Sequence, residues 1–174
     1  FFQDGERLGL TVRYSFEDIP LGTAGPLRLV KGLDETFLVM NGDVLTTLDF
    51  AKLIDYHRKS GALVTVAVHS REVKIDLGVL KLNGDSRVVD YIEKPTYNFE
   101  VSMGVYVFEP AVVDFIPFNQ YFDFPSLILK LLAADRMVKV YRYDGYWMDL
   151  GRPDDYEQAV LDFERMKTEF LPEV

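Results

Sequence analysis

The sequence predicts an α/β protein, a mixed sheet covered by helices in three layers, and three observations predict it. Short β-rich runs alternate with amphipathic helical ones along the chain. A composition 48% hydrophobic and 14% aromatic over 174 residues supplies enough apolar side chain for a real core. No low-complexity tract, internal repeat or long Gly/Ser/Pro linker interrupts the chain, so residues 1–174 are expected to form a single domain.

Taken in order, "LTVRYS" (10–15) reads as a strand and "TAGPLRLVKG" (23–32) as a helix ended by Gly32. "TFLVMNGD" (36–43) is a continuous apolar run stopped by Asn-Gly, the pattern of a buried strand meeting a turn. In "DFAKLIDYHRKSG", Phe50, Leu53, Ile54 and His57 recur at helical spacing between an Asp49 cap and Gly61. "ALVTVAVHS" follows as a strand. Residues 78–82 and 87–93 read as two strands joined by an "NGDS" turn, and 102–108 as another. Helices are expected over 110–116, 124–134 and 153–168, with "MVKVYRY" and the aromatic run before Asp149 as further strands.

Charge and composition limit the function. With 19 basic against 28 acidic residues the formal charge is −9, which disfavours a broad nucleic-acid or membrane-surface footprint. An anionic ligand must therefore be held locally, by lysine, backbone N–H groups or metal. No cysteine is present, so disulfides, thiolate metal sites and thiol catalysis are excluded. No apolar stretch approaches the ~18 residues that span a bilayer, and a cytoplasmic protein is expected.

Four stretches fall where α/β sheets place ligands, at strand ends and the loops after them. In "MNGDVLT", Asp43 follows an apolar strand and a glycine, a place for an exposed carboxylate and equally for simple turn chemistry. In "YWMDLG", Asp149 repeats the pattern. Two such aspartates suit one hard divalent cation such as Mg²⁺, which takes few carboxylates and completes its shell with water and phosphate oxygens. In "YIEKPTYN", Pro95 holds Glu93 and Lys94 at a strand end, where they suit sugar hydroxyls and phosphate, or a surface ion pair. "EDIPLGTAGPL" offers a loop of little bulk whose backbone can approach a flat ring, or an ordinary tight connection. His57 and His69, Trp147 and the tyrosines read as structural.

In this order the motifs resemble the sugar-phosphate nucleotidylyltransferases, or nucleoside-diphosphate-sugar pyrophosphorylases, and most closely their mannose-1-phosphate guanylyltransferase-like branch. The resemblance runs from "FEDIPLGTAGPL" through "FLVMNGDVLT", "DLGVLKL", "YIEKP" and "SMGVYVFEP" to "YWMDLGRPDDYEQA". It implies a Rossmann-like sheet of the nucleotide-diphospho-sugar transferase type, and transfer of a nucleotide from an NTP to a sugar 1-phosphate with release of pyrophosphate. GTP with mannose 1-phosphate is the first substrate pair it suggests. By position, Leu21, Gly22 and Thr23 would line the base site, while Asp43 and Asp149 would hold catalytic Mg²⁺. Gly78, Glu93 and Gly104 would meet the sugar and Lys94 its phosphate. Relatives often carry asparagine at the position of Ser102.

The family also opens with a strand and a glycine-rich loop that cradle the nucleotide phosphates, and no such loop occurs in the sequence. The resemblance therefore implies missing N-terminal strands. From it follows the expectation that the chain by itself repacks or associates, with a second copy or with a complementing N-terminal segment. Three function classes follow: an enzyme of this family, a non-catalytic sugar-phosphate or nucleotide-sugar binding or regulatory protein of the same fold, or a purely structural α/β module, which leaves the six motifs as coincidence.

Overall fold

The computed structural model describes residues 1–171. The chain forms two compact units, one of Phe1–Phe37, Gly61–Val64 and Phe108–Val138, the other of Leu38–Ser60, Thr65–Val107 and Lys139–Val174.

In the first unit the organising element is helix α2 (Phe124–Ala133), started by Asp123, whose carboxylate accepts the Ser126 N–H at 2.9 Å. Phe124, Leu127 and Leu131 recur on one face and are buried. They share this unit's core with Leu21, Ala24, Val112 and Ile116, and the Phe124 ring stacks on Phe108 at 5.9 Å. Pro110–Phe115 forms a 3₁₀ turn where a helix is expected, tied to α2 by Lys130 Nζ donating to the Phe115 carbonyl at 2.7 Å.

Two readings of this unit are corrected by backbone hydrogen bonding. Residues 10–15 form no strand. The N–H groups of Leu10 and Val12 donate to Gly5 and Asp4 carbonyls, folding the segment on itself, and alternation of side chains does not by itself supply a neighbouring strand. Likewise 23–32 contains only a 3₁₀ turn at Gly25–Arg28, because the Ala24 and Gly25 N–H groups are both taken by the Phe122 carbonyl and Pro26 offers none.

The second unit carries the strands, save the end residues Phe37, Val64, Phe108 and Val138. Strands β1 (Phe37–Met40), β3 (Val64–Lys74), β6 (Thr96–Phe108) and β7 (Val138–Arg142) make a four-stranded sheet in the order β1-β6-β3-β7. Two antiparallel ribbons accompany it, β2 (Val44–Thr46) with β8 (Trp147–Asp149), and β4 (Val79–Leu82) with β5 (Val88–Ile92). The Asn83 side chain shapes the expected β4–β5 turn by accepting the Asp85 and Arg87 N–H groups. This mixed sheet with helices is the predicted α/β class.

Helix α1 (Phe50–Ser60) starts where expected, Asp49 accepting the Lys52 N–H at 3.0 Å. It buries Leu53 against Leu48, Ala67, Met103, Val105 and Val107, with Leu38, Val44 and Trp147 packed around them. His57 is buried, its Nδ1 2.8 Å from Thr65 Oγ1, a structural histidine as the sequence suggests. Strand β2 is not anticipated: three residues after a turn carry too little pattern, and only the pairing with β8 makes them a strand.

Helix α3 (Pro153–Arg165) breaks at Met166 before the short α4 (Lys167–Phe170). Asp162 of α3 is buried, accepting from the Tyr146 hydroxyl at 3.0 Å and from Arg165 at 2.8 Å. Burial first, and then the Asp162 carboxylate, push the Tyr146 hydroxyl up to about 12 from its usual value of 10.0. Because the folded state holds this proton more tightly, the contribution is complete below pH ~10 and is lost as pH rises towards ~12. Tyr146→Phe is expected to lower stability by about 1–2 kcal/mol in urea titrations at pH 7 and to flatten the alkaline loss above pH ~10. An unchanged midpoint and an unchanged alkaline profile would remove this contact from the ledger of α3.

Candidate functional site

Backbone pairing brings the main chains of Asp43 and Asp149 together. Asp149 ends β8 and sits opposite Val44, the residue after Asp43, while the Leu150 N–H donates to the Asp43 carbonyl at 2.8 Å. Asp43 and Asp149 thus occupy adjacent rungs of one ribbon. Both are exposed, and neither forms an ion pair among the described residues. No group of three or more His, Cys, Asp or Glu arranged to hold a metal ion occurs among the described residues. Oxygen donors of this kind and number fit a hard cation that finishes its shell with water or phosphate, the Mg²⁺ pattern rather than a protein-enclosed cage.

Gly104 lies beside this ribbon. The Asn41 N–H donates to its carbonyl at 2.9 Å, and its φ of 71° falls in the left-handed region. A Cβ there would lie 2.8 Å from Asn41 Nδ2. Ser102 Oγ is 3.1 Å from the Tyr106 hydroxyl, and Trp147 Nε1 donates to the Met103 carbonyl at 3.0 Å, pinning β8 to the same strand segment. Gly104→Val is expected to cost about 1–3 kcal/mol by urea titration, through backbone strain and displacement of Asn41, two residues before Asp43. Wild-type stability would show that the backbone of β6 at Gly104 yields without cost.

Glu93, Lys94 and Gly78 form a second group. Gly78 precedes β4 and Glu93 follows β5, across the rung that pairs Val79 with Ile92. The Tyr91 hydroxyl donates to Glu93 Oε2 at 2.8 Å, and a Cβ on Gly78 would run into the Tyr91 ring. Lys94 has φ 41°, uncommon for a residue with a Cβ, in the bend before Pro95, whose carbonyl accepts the Ile75 N–H at 3.0 Å. Glu93 and Lys94 are exposed and make no ion pair with each other. Lys94 lies before the start of β6, and Gly104 lies in its second half.

Leu21, Gly22 and Thr23 belong to the first unit. The Leu21 side chain is buried in its core, and its N–H donates to Glu17 Oε2 at 2.8 Å. Gly22, at φ 79°, packs on the Phe122 carbonyl, and Thr23 Oγ1 accepts the Phe124 N–H at 3.0 Å at the start of α2. Tight packing explains the glycine at 22 whatever else the loop does.

A cleft of about 510 Å³ opens at Asp149, lined also by Arg71, Trp147, Gly151, Arg152 and Asp155. Arg152 makes a two-pronged pair with Asp155, 2.8 and 3.0 Å. That contact holds the Asp155 carboxyl below the usual carboxylate range and raises the Arg152 guanidinium, to which Asp149 also contributes. Asn41, Tyr91 and Arg152 lie inside the motif stretches without standing out there, and Arg71, on β3, lies outside them.

Residues 1–165 match the family model described as nucleotidyl transferase. Among curated proteins, the chain is 36% identical to mannose-1-phosphate guanylyltransferase of Mycobacterium tuberculosis, over 94% of this chain and 47% of that protein. It is 32% identical to UTP–glucose-1-phosphate uridylyltransferase of Synechocystis, over 92% and 46%, and 32% identical to the mannose-1-phosphate guanylyltransferase catalytic subunit beta of Dictyostelium discoideum, over 87% and 44%. It therefore spans a little under half the length of these relatives. HddC from Yersinia pseudotuberculosis shares the fold at TM-score 0.58 and 24% identity, over 84% of this chain and 64% of that one. A Bacillus anthracis structure described as a glucose-1-phosphate thymidylyltransferase shares it at 0.67 and 18%, over 91% and 68%.

Proposed function

The chain belongs to the nucleotidyl transferase family, and on that premise we propose that it acts in transfer of a nucleotide from an NTP to a sugar 1-phosphate, with release of pyrophosphate. The observation that carries this reading is the placement of Asp43 and Asp149 on adjacent rungs of the β2–β8 ribbon. GTP and mannose 1-phosphate are the first substrate pair, in keeping with the names of the Mycobacterium and Dictyostelium relatives.

The obstacle in this reaction is repulsion between an anionic attacking phosphate and a polyanionic nucleotide. Asp43 and Asp149 are the residues to hold Mg²⁺, which supplies the positive charge that offsets that repulsion. Lys94, fixed in its bend by Pro95, neutralises and orients the attacking phosphate. Glu93, steadied by the Tyr91 hydroxyl, accepts hydrogen bonds from sugar hydroxyls, and Gly78 and Gly104 let backbone come close to the ring. Leu21, Gly22 and Thr23 are the base-binding candidates, through backbone groups, since the Leu21 side chain is buried and Thr23 Oγ1 serves α2. No general base is needed, because the attacking phosphate is already ionised near neutral pH.

A pyrophosphate-release assay with a panel of NTPs and sugar 1-phosphates tests the reading, run on this chain and on one extended before Phe1 by a glycine-rich phosphate-binding segment. Divalent-metal-dependent release in either form supports transfer. Saturable sugar-phosphate binding with no release in either would favour a binding or regulatory protein. The name of the Dictyostelium relative, a catalytic subunit, supports assembly with another chain as part of the same reading. Size-exclusion with light scattering is expected to show more than one chain per particle, and a stable monomer would contradict it.

A further inference from the structure

Strand geometry singles out an arginine that neither the sequence motifs nor the proposed chemistry uses. Successive even-numbered steps along a strand keep side chains on one face, so Arg71 shares a face of β3 with His69, and Asp149 a face of β8 with Trp147. The His69 and Trp147 rings meet at 5.6 Å between centroids, and His69 Nδ1 is 2.8 Å from the Tyr143 carbonyl, fixing that ring in place. One strand repeat beyond this contact, Arg71 and Asp149 line the same 510 Å³ cleft, a volume within the range of about 300–1,000 Å³ usual for small-molecule sites.

The charges in that cleft are not equivalent. Arg152 is committed to Asp155 through two hydrogen bonds. Arg71 makes no ion pair or side-chain hydrogen bond among the described residues, which leaves the whole donor fork of its guanidinium available. In a chain of net charge −9, an uncommitted guanidinium beside a strand-end carboxylate is a local departure from the overall acidity. A planar fork of this kind matches phosphate oxygens two at a time.

We propose that Arg71 binds a phosphate group of substrate or product in the cleft beside Asp149, whose wall Arg152 also lines. The inference rests on the transferase reading for the identity of that phosphate, whereas the anion site itself rests on β3, β8 and the cleft. Arg71 is then a binding residue and does not take part in bond making.

The test is calorimetric titration of the chain, free of divalent metal, with inorganic pyrophosphate, mannose 1-phosphate and GTP in separate arms. Saturable binding in at least one arm is expected, weakened about tenfold or more by Arg71→Ala and partly restored by Arg71→Lys, which keeps the charge without the fork. The arm that responds identifies which phosphate is held. Arg71→Gln serves in place of alanine should the alanine variant lose its wild-type circular dichroism. Binding within twofold of wild type in Arg71→Ala, or no saturable binding of any probe to the wild type, would overturn the inference. Failure of the two readings is distinguishable. Metal-dependent transfer lost in Asp149→Asn alongside unchanged phosphate affinity in Arg71→Ala removes only this site, while loss of affinity in Arg71→Ala without transfer in any form removes only the transferase reading.

Discussion

Replacing Asp149 by asparagine is expected to lower metal-dependent pyrophosphate release by about 10²–10³-fold while leaving folding intact. Asp149 is exposed at the end of β8 and makes no ion pair among the described residues, so the fold does not depend on its charge. Asparagine keeps the shape and the Val44 rung and removes only the anionic oxygen that a hard cation requires. The loss should fall on kcat more than on KM, because the charge acts chiefly where phosphoryl charge develops. Asp43→Asn should behave alike, and the double variant should be little worse than either single one, as expected of two ligands serving one ion. Turnover unchanged in Asp149→Asn would take this residue out of the site.

The second large effect is expected at Lys94. Lys94→Ala should reduce kcat/KM for the sugar 1-phosphate by about 10–10²-fold, mostly through KM, in keeping with loss of one charge-assisted hydrogen bond worth ~1.5–3 kcal/mol. Its φ of 41° allows a control. Lys94→Gly removes the same ammonium while relaxing the backbone, so a role confined to the side chain predicts equal losses in activity with better stability in the glycine variant. An effect on the NTP alone, or none, would place the sugar phosphate elsewhere.

How much of this was legible in the sequence depends on the kind of signal. Helix α1 declares itself through Asp49, Leu53 and His57, whose spacing and cap are local. Helix α2 does so through Asp123 and the Phe124, Leu127 and Leu131 stripe. Asp43 and Asp149 stand out because each is an acidic residue after an apolar run with a glycine close by, Gly42 before Asp43 and Gly151 after Asp149, but their adjacency is a fact of β2–β8 pairing that no local pattern encodes. For the same reason Arg71 passes as a surface arginine until β3 and β8 are seen to share the contact of His69 with Trp147. The misread strand at 10–15 illustrates the converse. Leu10, Val12 and Tyr14 alternate well, yet their segment's donors close a local loop through Gly5, and a strand exists only where another strand receives it.

Glycines show the same division. Gly22 and Gly104 are both at positive φ, but Gly22 is explained by contact with Phe122, whereas Gly104 touches Asn41 in the approach to Asp43. Sequence marks the need for glycine at both; only the neighbours distinguish packing from a place beside the candidate site.

The most direct test of the central claim is Mn²⁺ binding followed by electron paramagnetic resonance, with Mn²⁺ standing in for Mg²⁺, on the wild type and on Asp43→Asn and Asp149→Asn. One saturable site is predicted, weakened at least tenfold by either substitution. Wild-type affinity in either variant would show that the two carboxylates do not share an ion.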